Sequence, residues 1–157
     1  VHYCTNLKSV NIPTSVTTIN LATFNNCVNL TEIEIPSNVR TIQPEAFFGC
    51  TSLEKITLNE GLQNISSNAF YNCYGITEIV LPSTLRNLTI QTFYRCTNLH
   101  TVVIKSPSIV NISSNTFPTS IAEIYVQDNL IEEYPNYSYW YNYTHCLRPL
   151  SEWENNA

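Results

Sequence analysis

The sequence has no methionine, only three glycines, and few charges, since Asp, Glu, Lys and Arg together make up 12% of its 157 residues. That is about half the usual share of roughly 25%. Scarce glycine argues against a flexible low-complexity chain, and the lack of an initiator reads as a piece of a longer protein. A net charge of −5 leaves no basic face for nucleic acid or an anionic membrane. Residues 1–10 hold no basic segment followed by an apolar run, so no signal peptide is expected there. No stretch approaches the roughly 18 apolar residues of a membrane helix. Closely spaced cysteine pairs, the usual mark of a metal site, are missing as well. What remains is a mildly acidic, soluble domain with 43% hydrophobic residues, whose polarity must come from Asn, Ser and Thr.

Those residues are ordered by a repeat. Cys4, Cys27, Cys50, Cys73 and Cys96 follow one another at intervals of 23. The same interval aligns Leu7, Leu30, Leu53, Ile76 and Leu99, then Val10, Ile33, Ile56, Ile79 and Val102, then Ile12, Ile35, Leu58, Leu81 and Ile104. An aromatic column, Phe24, Phe47, Phe70 and Phe93, lies later in each unit. The I-x-I alternation is the period of a strand with one buried face. Pro13, Pro36 and Pro82 follow it and stop it, because proline cannot continue a hydrogen-bond ladder. One unit cannot bury its apolar side alone, whereas stacked units form a continuous core. A period of 23 lies within the leucine-rich-repeat range of roughly 20–29. It predicts a right-handed solenoid with a parallel β-sheet on the concave face and irregular return arms.

The pattern changes towards the end. After Cys96 the unit gains a residue, so that Ile112 and Phe117 arrive one position late, and Ile121, Ile124 and Val126 mark a last strand without a preceding Cys. Residues 1–127 are therefore read as the repeat array, truncated at its N-terminus, and 128–157 as a small, partly helical C-terminal cap. Asp128 is expected to cap a helix there, Pro135 to break it, and Trp140 with some of the tyrosines to plug the final rung.

The motif I-P-x-x-V-x-x-I-x-x-x-A-F-x-x-C-x-x-L, clearest from Ile35 to Leu53, resembles the BspA-type leucine-rich repeat. The tail from Ile124 through Leu130, Tyr134, Trp140 and Tyr143 to Pro149-Leu150-Ser151-Glu152 is similar to the closing segment of bacterial members. The resemblance implies a secreted or cell-surface protein of a bacterium or parasitic protist, engaged in adhesion to host proteins or cells, with no cofactor. It transfers no ligand site, because the motif consists of structural residues. Asn59 and Lys105 stand where the motif has proline, which is expected to weaken those turns.

Outward strand positions form two columns across the concave face. One runs Ser9, Glu32, Lys55, Glu78, Thr101 and Glu123, the other Asn11, Glu34, Thr57, Val80, Val103 and Tyr125. From Glu32 to Tyr125 these are the candidate ligand-binding residues for a partner protein. Val80, Val103 and Tyr125 would form an exposed apolar strip, which either marks an interaction site or reflects strand propensity alone. Glu32 and Glu78, two strands apart with Lys55 between them, lack the pocket that tunes a catalytic acid. The Cys column is expected to pack as buried free thiols. His2, His100 and His145 offer no partner for a cysteine nucleophile.

Further candidates are a glycan contact through the aromatic cluster around Tyr139 and Tyr141, a spacer role, and self-association through the N-terminal rung, whose open edge invites pairing. Six Asn-x-Ser/Thr sequons, at Asn29, Asn64, Asn87, Asn111, Asn136 and Asn142, would carry glycans only in a eukaryotic secretory context.

Overall fold

Stacking at a period of 23 lays like residues over one another, and the computed structural model, which describes residues 4–157, shows what each column does. The concave strands are β2 (Glu32–Ile35), β4 (Lys55–Leu58), β6 (Glu78–Leu81), β8 (Thr101–Ile104) and β9 (Glu123–Val126). All pairings are parallel, Glu32 to Lys55 and Glu78 to Thr101 to Glu123. The ladder is interrupted between β4 and β6. Just before that gap the backbone of Gly75 runs so close to the previous rung that a Cβ there would lie 2.7 Å from the Leu53 carbonyl oxygen.

The return arms are more regular than expected. Two-residue strands β1 (Thr18–Ile19), β3 (Thr41–Ile42), β5 (Asn64–Ile65) and β7 (Asn87–Leu88) form a second parallel sheet, extended by a bridge from Asn87 to Asn111. Units of equal length place each arm's N–H and C=O groups over those of the next, and pairing is how such groups are satisfied. The offset of 24 from Asn87 to Asn111 is the residue gained after Cys96. Between the two sheets the chain turns through left-handed residues, one column being Ala22, Glu45, Asn68 and Gln91 and another Asn26, Gly49, Asn72 and Arg95. At Gly49, with φ of 74°, a Cβ would sit 2.2 Å from Asn26 Oδ1, so glycine lets the Asn26 side chain lie against the backbone there.

The core is a set of one-residue columns. Phe24, Phe47, Phe70 and Phe93 stack with centroids 5.1–5.4 Å apart. The column runs on through Phe117 at 6.2 Å to Trp140 at 6.0 Å. The thiols of Cys50, Cys73 and Cys96 donate to the carbonyls of Phe24, Phe47 and Phe70, one rung back, at 3.1, 3.2 and 2.9 Å. They are free and buried, as the column reading expected, but each also ties two rungs together. The many asparagines do the same at the surface. The Asn98 carboxamide donates to the Tyr74 carbonyl at 2.7 Å, and Asn29 and Asn38 reach back to the carbonyls of Thr5 and Thr14.

Asn59 and Lys105 correct the expectation of weakened turns. Having an N–H where proline has none, they donate to the carbonyls of Ile35 and Leu81 at 3.3 and 3.1 Å, and Asn59 Nδ2 adds a bond to Ile35 at 3.0 Å. They strengthen the contact between rungs.

From Asp128 the chain forms three 3-10 turns, Asp128–Leu130, Tyr134–Asn136 and Trp140–Cys146. Tyr134 and Trp140 are fully buried against the last rung. The Trp140 indole N–H donates to the Val110 carbonyl at 2.7 Å, and the Val110 amide donates to the Tyr134 hydroxyl at 3.3 Å. These bonds satisfy the polar ends of both plugging rings. The chain then rejoins the concave sheet as β10 (Leu147–Pro149), parallel to β9, and ends in the short helix α1 (Leu150–Asn155).

Candidate functional site

Alternation along each strand turns one set of side chains into the core and leaves the other on the concave face. On β2, β4 and β6 this gives the expected surface: Glu32, Glu34, Lys55 and Glu78 are exposed, and Thr57 and Val80 half-buried. Glu32, Glu34, Lys55 and Thr57, with Ser9 and Asn11 of the preceding unit, line an open groove of about 310 Å³. Register sets Glu32 against Lys55 and Glu34 against Thr57. Opposite charges side by side on an exposed sheet contribute little stability, about 0.2–1 kcal/mol per pair. They are available to a partner.

On β8 and β9 the expectation fails. Thr101 is 6% exposed and Val103 is completely buried, although both point away from the core. The reason is α1, which packs across β8 and β9. Leu150 is buried too, and neither it nor Val103 belongs to the inner core cluster. Two further contacts hold the helix. Asp128 accepts the Ser151 amide on Oδ1 at 3.1 Å and the Ser151 hydroxyl on Oδ2 at 2.6 Å, and Lys105 Nζ lies 5.8 Å from the centre of the Trp153 ring. Asp128 was expected to cap its own turn, and it caps the first turn of α1 instead. Those bonds hold its carboxyl below the usual carboxylate range.

No exposed strip of Val80, Val103 and Tyr125 therefore exists. Glu123 and Tyr125 are half-buried, and the Tyr125 hydroxyl donates to Glu123 Oε2 at 3.0 Å. Burial and that carboxylate push the tyrosine's pKa up. Arg148, opposite Tyr125 in register, continues the outward column. Its position was available in the sequence, because Leu147, Arg148 and Pro149 stand 23 residues after Ile124, Tyr125 and Val126.

The remaining candidates are accounted for by packing. Burial, then the neighbouring Cys27 thiol, raises the Cys50 pKa to about 12, and burial drives that of Cys73 well above its ordinary value. Both thiols stay neutral and unreactive. Cys146 is buried and donates to the Ile121 carbonyl at 3.7 Å, while its neighbour His145 is exposed. His100 is exposed and shares a 2.8 Å bond with Thr101 Oγ1; His2 lies outside the described residues. Among the described residues no group of three or more His, Cys, Asp or Glu side chains converges as metal ligands.

A second concavity, of about 520 Å³, lies between the last return arm and the final 3-10 turn, with Tyr139 and Tyr141 at its rim and Phe117 and Tyr143 at its base. Tyr143 stands edge-on to Phe117 at 5.3 Å. The aromatic cluster is thus divided. Tyr134 and Trp140 fill the core, while Tyr137, Tyr139 and Tyr141 are exposed.

Residues 17–145 match, in six copies, the family described as BspA type leucine rich repeat region. Among solved structures the chain is similar to a leucine-rich repeat protein of T. pallidum, with 31% identity, a TM-score of 0.71, and coverage of 76% of this chain and 58% of that one. It is also similar to the pneumococcal vaccine antigen PcpA, with 21% identity, a TM-score of 0.59, and coverage of 91% of this chain and 40% of that one. At that identity the likeness concerns the fold alone. The chain thus spans a little over half of the T. pallidum protein. No curated protein matches it.

Proposed function

The chain belongs to the BspA-type leucine-rich-repeat family, and on that basis we propose that it is a non-catalytic, adhesin-like binding domain of a secreted or cell-surface protein. Its partner is another protein, of a host or of a neighbouring cell, held on the concave face. The observation that carries this reading is the open sheet of β2, β4 and β6. There Glu32, Glu34, Lys55 and Glu78 stand exposed on a rigid surface at fixed strand spacing. Charges so arranged steer and select a partner more than they stabilise the fold. Among the described residues no helix is long and apolar enough to cross a membrane. At the opposite end, Val10, Ile12 and Val16 are half-buried around an open groove of about 250 Å³, which supports self-association of two copies through this rung.

The test is surface plasmon resonance of the protein against a panel of purified extracellular-matrix proteins, beside a variant carrying Glu34→Lys and Val80→Lys. Binding by the wild type that the folded variant loses supports the reading. Binding to none of the panel favours a spacer, and equal binding by the variant moves the site off the concave face. Either result overturns the proposal as stated. Light scattering over a concentration series, with and without Val16→Asp, tests the self-association.

A further inference from the structure

We infer that the groove beneath the final 3-10 turn is a binding site for a neutral saccharide, separate from the concave face and independent of the protein-binding reading. Its composition is the first argument. Twelve residues line it, and none is Asp, Glu, Lys or Arg. The concave groove, by contrast, is lined by Glu32, Glu34 and Lys55. A charged ligand would find no carboxylate, ammonium or guanidinium here, and His145 is the one imidazole on the walls. The walls instead offer the hydroxyls of Ser113, Ser114 and Thr119 and the carboxamides of Asn115 and Asn142. Each of these groups both donates and accepts, and so does each hydroxyl of a sugar.

The second argument is the placement of the two tyrosines. Tyr139 adopts a left-handed backbone, with φ of 69°, a conformation uncommon for a bulky residue. Outliers of this kind persist where the surroundings enforce them, often at ligand sites. The turn sends Trp140 into the core, and the rings on either side of it, Tyr139 and Tyr141, both border the groove. Tyr141 is 62% exposed, more than Tyr137 or Tyr139, while Tyr134 and Trp140 of the same cap are fully buried. An aromatic face is electron-rich, and the C–H face of a pyranose is its complement. A volume of about 520 Å³ falls in the small-ligand range of roughly 300–1,000 Å³. A protein hot spot would need these rings enclosed by apolar neighbours and shut off from water. Here the apolar Phe117, Pro118 and Ile121 are interspersed with hydroxyls and carboxamides, and the rings stay open to water.

The experiment is saturation-transfer NMR of the protein with neutral hexoses, N-acetylhexosamines and their disaccharides, and with sialic acid as the charged counterpart. At least one neutral sugar is expected to receive transfer through its C–H face, with dissociation constants then read by titration. Tyr141→Ala should weaken binding about tenfold or more, whereas Tyr137→Ala, exposed but outside the groove, should leave it unchanged. Circular dichroism checks that both variants are folded. Glu34→Lys with Val80→Lys should also leave sugar binding intact, which separates this site from the concave one. Transfer to no neutral sugar, transfer to sialic acid alone, or equal binding by Tyr141→Ala would overturn the proposal.

Discussion

The rungs that carry β2, β4 and β6 and those that carry β8 and β9 are built from the same columns, yet they meet the surroundings differently. Glu34 is exposed and Val80 half-buried on the open face, whereas Val103, in the same column, is sealed beneath α1. The repeat determines where a side chain points. Whether it is available is decided by one segment that does not repeat. The binding surface of this solenoid is therefore shorter than its sheet.

The largest expected effect concerns what the two regions share. Phe70→Ala removes a ring stacked on both sides, at 5.1 and 5.4 Å, and should cost about 3–5 kcal/mol, read from the shift in the urea midpoint. Phe24→Ala, with a described ring on one side only, should cost less. If the two losses were equal, the stack would not be the cooperative core described here.

The next variants act on the difference itself. Val103→Glu forces a charge under α1 and should lose about 2–4 kcal/mol, whereas Val80→Lys, on the open rung, should stay within about 0.5 kcal/mol. Similar values for the two would remove the distinction.

The clasp between Asp128 and Ser151 gives this contrast a pH dependence. The folded carboxyl titrates below its ordinary value of 3.8. The helix is therefore held fully above that value, and the contribution is lost as pH falls through the lower, folded pKa. Amide exchange in α1 should accelerate at low pH before exchange in β2 and β4 does, and Ser151→Ala should show the same loosening at neutral pH. At the alkaline end the buried thiols act in the opposite sense. Cys50 titrates near 12 when folded and near 9 when unfolded, so stability should fall as pH rises through that window.

The columns at intervals of 23 made the solenoid, its core and its parallel sheet legible, because one error in register would have misplaced every unit at once. Two features escaped for identifiable reasons. Left-handed turns are signalled at Gly49, Asn26 and Asn72, yet the companion column holds Ala22, Glu45 and Gln91, residues whose types give no hint of positive φ. The docking of α1 is a single event. Leu150 and Trp153 suggest an apolar side, but nothing periodic says which surface they cover. The strand that leads there was readable, since Leu147 repeats Ile124 at the ordinary interval. Of the candidate site, the open half followed from alternation alone, and the covered half required the tail.

Thiol labelling tests the central contrast most directly. Made in a Cys4→Ser background, because Cys4 is only half-buried, Val80→Cys and Val103→Cys each place one new thiol on the outward column of the sheet, and Cys27, Cys50, Cys73, Cys96 and Cys146 are buried. With a maleimide under native conditions, Val80→Cys should label quickly, and Val103→Cys should remain unlabelled until residues 150–157 are removed, after which it should label as fast. Rapid labelling of Val103→Cys in the intact chain would contradict the account, because the concave face would then be open along its whole length.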